Sequence, residues 1–315
     1  MSVPLQWGLL GAMVALSAGW SPGPIPVSRP LATNRITALV SQDAPQYRAA
    51  LEGFEAAIKQ SSPGTEVVVH IMTPGADLAV LAGTVRAESP VLILALGTAA
   101  VETARQVGDV PVVASMVLRP ADVLRGPRFT GVFLEFPSEV EFHFLARILP
   151  GQRRVAVLYN AAQNQGSIDA ADRSAHGAGL ELLARKVSVP SDIPATLQSL
   201  SNHADVLWGL ADTLVLTRET AGPILLFSLQ NRIPFVGLSA PWVKAGAVYA
   251  LERDYGDIGR QCAELAAEVL DGSAPADLQP QAPRKVLYLI NRRTADQLKL
   301  TISREILRGA EEVIE

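Results

Sequence analysis

The stretch Pro90-Val-Leu-Ile-Leu-Ala-Leu-Gly-Thr-Ala-Ala-Val-Glu-Thr-Ala-Arg-Gln-Val107 decides the fold. Val91 to Leu96 is an unbroken apolar run, too short for a membrane span. It reads as a strand buried on both faces, as in a parallel sheet. Gly97 then permits a sharp turn. Thr98 stands where an N-cap belongs, ahead of a helix beginning near Ala99. A strand's carboxyl end feeding a helix amino end is where open α/β sheets place ligands. The free N–H groups and positive dipole end of that first turn suit an anion such as a carboxylate. The same segment also fits a routine strand–turn–helix connection that holds no ligand.

Outward from this segment, strands and helices alternate. Arg35-Ile-Thr-Ala-Leu-Val is the first predicted strand, and Tyr47, Leu51, Phe54, Ala57 and Ile58 recur at helical spacing after it. Strands are predicted at Glu66 to Ile71, at Asp109 to Ser115 and at Phe129 to Leu134, with a helix near Asp77 to Ala87. The pattern then restarts. Helices are predicted at 139–149, 167–178 and 219–230. Strands are predicted at 154–159, 180–187, 205–210 and 234–239, then a long helix at 255–270 and a last strand at 285–290. Alternation at this spacing means βαβ units and a parallel sheet. Two such sets in succession imply an α/β protein of two doubly wound parallel-sheet lobes with a cleft between them. Clefts of that kind favour small molecules.

Composition narrows the function. The chain has 315 residues, 49% hydrophobic and 18% charged, so it is globular, and its length suits two domains. A net charge of −4 and the absence of any Lys/Arg block argue against a nucleic-acid partner. The single Cys262 excludes an internal disulfide, and the four His residues show no metal-ligand spacing, so no metal or cofactor is expected. Aromatic residues make up only 5%, so any aromatic in a cleft would be conspicuous. Trp7 to Trp20 is uncharged and of signal-peptide length, although no Lys or Arg precedes Arg29. Residues 1–30 are therefore read as a signal-like segment and linker, and an extracytoplasmic or periplasmic location is expected.

The loops at strand carboxyl ends carry Ser41, Asp43, Gly97, Thr98, Ala99, Ser115, Asn160, Asp212, Thr213 and Ser239. Short hydroxyl and carboxylate side chains suit a small polar ligand bearing an ammonium and a carboxylate. Each has a structural alternative. Asp212 is either an ammonium ligand or a helix cap. Asn160 is either a cleft residue or the fixer of its own turn. Trp242 is either an aromatic wall over the ligand or plain packing. Asp254 and Tyr255 lead a helix and cap it. No nucleophile elbow, P-loop or dinucleotide turn is present, and no His falls on a cleft loop, so no enzyme is expected.

Several motifs together resemble a known family. They are Leu96-Gly-Thr-Ala-Ala, Val110-Pro-Val-Val-Ala, Thr130-Gly-Val, Ile148-Leu-Pro-Gly-Gln-Arg-Arg-Val-Ala-Val-Leu-Tyr-Asn160, Ile233-Pro-Phe-Val, Asp254-Tyr-Gly-Asp-Ile-Gly and Leu289-Ile-Asn291. In that order they look like the ABC-transporter substrate-binding proteins of the tryptophan/tyrosine type, which have the type I periplasmic-binding-protein fold. The resemblance implies a monomeric receptor that closes on an amino acid or similar ligand and hands it to an ABC permease. It implies discontinuous lobes: 31–132 plus about 252–283, and 133–251 plus about 284–315. It also implies ligand roles for Thr98, Asn160 and Asp212. The chain departs from the family pattern at Leu118-Arg-Pro-Ala-Asp-Val123, Ala211-Asp-Thr-Leu-Val215 and Leu251-Glu-Arg253, all at or near the expected cleft. A sensing module for a membrane signalling protein and a periplasmic hydrolase are the alternative readings.

Overall fold

The computed structural model describes residues 34–119 and 126–315. The signal-like segment and most of the Leu118–Val123 departure lie outside them.

The first lobe is laid down as β1 (Arg35–Val40), α1 (Pro45–Ser61), β2 (Glu66–Ile71), α2 (Leu78–Glu88), β3 (Leu92–Leu96), α3 (Thr98–Val107), β4 (Val112–Ser115) and β5 (Phe129–Val132). The chain then enters the second lobe with α4 (Ser138–Ile148), β6 (Arg154–Tyr159), α5 (Ala161–Gly177), β7 (Glu181–Lys186), α6 (Ile193–Gln198), β8 (Val206–Trp208), α7 (Arg218–Asn231), β9 (Phe235–Gly237), α8 (Ala240–Ala245) and β10 (Tyr249–Arg253). Helix α9 (Tyr255–Leu270) returns to the first lobe. The end of the chain, β11 (Val286–Asn291), α10 (Arg292–Gln297), α11 (Arg304–Gly309) and β12 (Glu312–Ile314), completes the second.

Lobe 1 is a five-stranded sheet of order β2-β1-β3-β4-β5, parallel throughout. All five residues of β3 are buried, as a strand covered on both faces must be. Lobe 2 has seven strands in the order β12-β11-β10-β9-β8-β6-β7. Its one antiparallel pair is β10 with β11. The reason is topological. The chain leaves lobe 2 through β10 and re-enters through β11, so these neighbours must run in opposite directions.

Helix α9 is fastened to lobe 1 by close backbone approach. A Cβ on Gly53 would lie 2.1 Å from the Gly256 carbonyl oxygen, and one on Gly259 would lie 2.0 Å from that of Ala50. Gly53 of α1 and Gly259 of the Asp-Tyr-Gly-Asp-Ile-Gly motif therefore let α1 and α9 touch backbone to backbone. Ile258, Cys262 and Leu265 fill the same core as Phe54 and Ile58. Asp254 caps α9 by accepting from Asp257 N at 2.9 Å.

The lobes are joined by three crossings, at 133–137, at Asp254 and at 278–285. These are tied to one another. Phe133 N donates to Gln281 O and Gln281 N donates to Gly131 O, both at 2.9 Å. Asp257 and Gln261, both buried, hold the third crossing on α9. Arg284 donates to Asp257 (Nε–Oδ2 2.9 Å) and Gln261 donates to Ala282 O at 3.2 Å.

The α1–α9 contact yields a prediction. Gly259→Ala forces the two helices apart and lowers the midpoint of thermal unfolding by at least about 5 °C, the scale of an overpacked core. Gly166→Ala, on an exposed turn of α5 with nothing near its Cβ position, leaves it unchanged or raises it slightly.

Candidate functional site

A cavity of about 560 Å³ opens where the crossings meet the carboxyl ends of β8 and β9. That is in the usual range for a small-molecule site. The first crossing contributes Phe133 to Pro137, and α4 adds Ser138, Glu139 and Glu141. Strand β8 and its continuation supply Trp208 to Ala211, β9 supplies Val236 to Leu238, and β10 supplies Tyr249, Leu251 and Arg253. Tyr255 and residues 280–282 close the lobe 1 side. The rings of Phe136, Trp208, Tyr249 and Tyr255 thus converge on one space in a chain with few aromatics.

The polar groups of this cavity are mostly committed. Arg253 donates through Nε to Leu134 O at 2.8 Å, and its guanidinium lies 4.7 Å from the Phe136 ring centroid. Tyr255 donates its hydroxyl to Glu252 at 3.2 Å, and burial pushes its phenol up to about 12. Glu139 accepts from Ser174 at 2.8 Å, and hydrogen bonds from its own backbone N–H and from Ser174 hold its carboxyl below the usual range. Glu141 differs. Its Oε2 accepts from the Trp208 indole N–H at 2.5 Å. Desolvation pushes its carboxyl up to about 7, despite that bond and the field of Arg253.

None of the residues the sequence offered as ligand contacts lines this cavity, although their chain neighbours Ala211 and Leu238 do, as does Tyr255, which the sequence read only as a helix-leading residue. Several of the offered residues, Ser41, Gly97, Thr98, Asn160 and Asp212 among them, gather instead at the point in each sheet where the strand order reverses. In lobe 1 that point is between β1 and β3. There Ser41 Oγ accepts from Ala100 N at 2.9 Å. Gly97, with φ 94°, is pressed against Ser41 and the Tyr47 hydroxyl. It is Gly97, not Thr98, that takes the N-cap position, so Thr98 is the first helical residue, and it is exposed. Ala99 follows, partly buried. Asp43 pairs with Arg48 on the surface. Ser115 is fully buried and donates to Val132 O at 2.7 Å, within the sheet.

In lobe 2 the reversal lies between β6 and β8, and Asn160 and Asp212 meet there. Asn160 Oδ1 accepts from Ala162 N, which starts α5 at Ala161, earlier than its apolar pattern predicts. Asp212 is only 5% exposed and accepts four hydrogen bonds, from Asn160 N, Asn164 Nδ2, Leu214 N and Val215 N, at 2.7 to 3.0 Å. Although burial works to raise its carboxyl, these donors hold it below the usual Asp range. Thr213 bonds Gln163 through its hydroxyl and its backbone N–H. Ser239 precedes α8 and makes no side-chain cap. Trp242 packs edge-on against Phe235, with ring centroids 5.5 Å apart.

Sequence reasoning missed Glu141, Trp208, Tyr249 and Tyr255 as cavity residues. It also missed Arg119. This residue follows β4 in lobe 1 and reaches lobe 2, donating to Ala211 O at 2.9 Å, to Asn164 Oδ1 and to Gln163 O. The scarcity of aromatics was the available signal for the first group. Arg119 falls in the Leu118–Val123 departure noted near the expected cleft, but nothing in the sequence gave it a role of its own.

The model for ABC transporter substrate binding proteins matches residues 35–314. The chain belongs to that family. A tyrosine-binding protein of Clostridioides difficile is 23% identical over 220 residues, 66% of this chain and 63% of that relative. The chain thus covers somewhat under two thirds of that protein's length. Among solved structures, a ligand-free, open substrate binding protein with adhesive properties from Clostridium difficile superposes with a TM-score of 0.72 at 17% identity, covering 89% of this chain and 99% of the other. An ABC domain in complex with L-Trp from Streptococcus pneumonia gives 0.60 at 19% identity, covering 90% and 100%. Type I periplasmic-binding architecture, with two α/β lobes, is therefore the family setting of this chain. Among the described residues no helix is long and apolar enough to cross a membrane, and no His, Cys, Asp or Glu group could hold a metal ion.

The burial of Asp212 generates a prediction. Asp212→Ala strips an acceptor from four donors and lowers stability by roughly 2 to 4 kcal/mol. The native carboxylate's contribution is present above the ordinary Asp range and fades as pH falls through its depressed folded value. The gap between parent and variant in urea melts is therefore widest near pH 7 and narrows below about pH 4.

Proposed function

We propose that this family member is an extracytoplasmic receptor of an ABC importer. Its ligand is an amino acid or close analogue with an aromatic or apolar body, held where the lobes meet. The observation that carries this reading is the convergence of Phe136, Trp208, Tyr249 and Tyr255 on a cavity of about 560 Å³ at the lobe junction. Aromatic walls bury much area at little entropic cost, because each side chain has few rotatable bonds. The named ligand of the Clostridioides difficile relative, tyrosine, and the L-Trp of the pneumococcal structure are of the same class.

Capture works by closure. The first crossing and β10 lie in the cavity wall, so a ligand seated there touches the segments that must bend as the lobes move. It favours the closed state by the contacts it makes only there. Arg119, already spanning from lobe 1 to Ala211 and Asn164, is the closing contact beside it. Thr98, exposed on the first turn of α3, is the proposed second contact from lobe 1, where helix N–H groups favour a carboxylate. Asp212 serves the ligand by shaping the loop that contributes Leu210 and Ala211 to the cavity. The loaded receptor would then dock on a membrane permease.

A thermal-shift screen against the twenty amino acids tests this reading. L-Tyrosine, L-tryptophan or L-phenylalanine raises the melting midpoint by several degrees, since ligand at a hundred times Kd adds about 2.7 kcal/mol. Trp208→Ala abolishes the shift. A response to small polar amino acids alone, with Trp208→Ala unaffected, contradicts it.

A further inference from the structure

We propose that Glu141 is the ligand-specifying residue of the cavity: its carboxylate, held against the wall by the Trp208 indole N–H, pairs with an ammonium group of the ligand, so the site selects amines. This rests on the receptor reading above and goes beyond it by naming the residue that meets the ligand's amino group.

The geometry distinguishes Glu141 from every other acid at the cavity. Glu135 faces Arg119 at 3.5 Å, and Glu139 accepts from Ser174 at 2.8 Å near the start of α4. Asp212, behind the wall, is surrounded by its four donors. Glu141 has no Lys, Arg or His nitrogen within 4.0 Å among the described residues, and its one hydrogen bond comes from Trp208. The groups around it are known from each side. Trp208 comes from β8. Tyr249, 1% exposed, comes from β10 and has its phenol pushed up by burial and by the Glu141 charge. Arg253, further along β10, attracts Glu141 from a distance, and Glu135 on the first crossing repels it. Arg253 cannot move closer without giving up the Leu134 carbonyl and the Phe136 ring.

A carboxylate with a single neutral donor in a desolvated wall is costly to ionise, and its shift to about 7 is the mark of that cost. A structural acid would be better replaced by an apolar or amide side chain. A cation brought by the ligand supplies the missing partner, and the surrounding rings cover the rest of the amine. Binding then requires Glu141 ionised. Above about pH 7 affinity is at its plateau. Below it, the empty site holds a proton that the ammonium must displace, so affinity falls by up to tenfold per pH unit.

Isothermal titration of the full chain, and of Glu141→Gln, with L-tyrosine, L-tryptophan, tyramine and tryptamine tests this. The deaminated 3-(4-hydroxyphenyl)propionic and indole-3-propionic acids serve as counterparts. Gln keeps an oxygen for the Trp208 N–H and removes only the charge. The parent is expected to bind amines, more weakly as pH drops from 8 to 5.5, and to bind the deaminated acids at least tenfold more weakly. Glu141→Gln should bind the amines at least tenfold more weakly at pH 8, with a flat pH profile. Equal affinity of parent and variant, or deaminated acids binding as tightly as amines, overturns the inference while leaving the receptor reading intact. If the variant folds poorly, the parent alone still overturns the inference should it bind the deaminated acids as tightly as the amines, or the amines with a flat profile from pH 8 to 5.5. If no compound of the panel binds the parent, the aromatic amino-compound reading itself fails and takes this inference with it.

Discussion

The three chain crossings share one set of hydrogen bonds, and the rest of the molecule depends on that waist. Gln281 exchanges backbone bonds with Gly131 and Phe133, so the first and third crossings form a miniature parallel ladder. Arg284 is clamped by Asp257, and Lys285 by Asp254, which together bind the third crossing to the start of α9. Arg253 reaches from the second crossing to the carbonyl of Leu134 on the first. In the proposed receptor, this waist is where the two lobes would hinge while keeping their cores intact.

The cavity sits against that waist, and the placement explains why its polar groups are so fully committed. Its polar side chains are bonded to the crossings and to the elements that flank them. Arg253 bonds Leu134 O on the first crossing, Tyr255 bonds Glu252 across Asp254, and the Gln281 side chain accepts from Gln261 on α9. Glu141 stands outside this economy. It belongs to α4, a regular helix, and it is presented to the cavity by a rigid element and fixed by an indole from a neighbouring strand. Rigid presentation of a single uncompensated charge is how a site gains selectivity without stiffening its hinge.

Much of the fold was legible from the chain. The buried β3, the restarted βα pattern and the capping Asp254 follow from periodicity and cap chemistry that act locally. Gly259 of the Asp-Tyr-Gly-Asp-Ile-Gly motif was readable only as a resemblance. Its reason, contact with the Ala50 carbonyl of α1, is tertiary. The short β12 and the early start of α5 were missed. One is an edge strand ordered by pairing with β11, and the other is set by the Asn160 cap and not by apolar spacing. The cavity was the least legible part. Loops at strand carboxyl ends point to the sheet reversals, and Ser41, Thr98, Asn160 and Asp212 do lie there. Trp208 and Tyr249 read as ordinary strand residues, because a sequence shows that a ring is buried in a strand and not what open space it borders.

Hydrogen exchange read by mass spectrometry, before and after saturation with the tightest-binding amino acid, reports whether the ligand engages both lobes and the waist. Slower exchange is expected at 133–141, 208–211 and 249–255 together. Protection confined to a single lobe, with these segments unchanged, would contradict the proposed capture by closure.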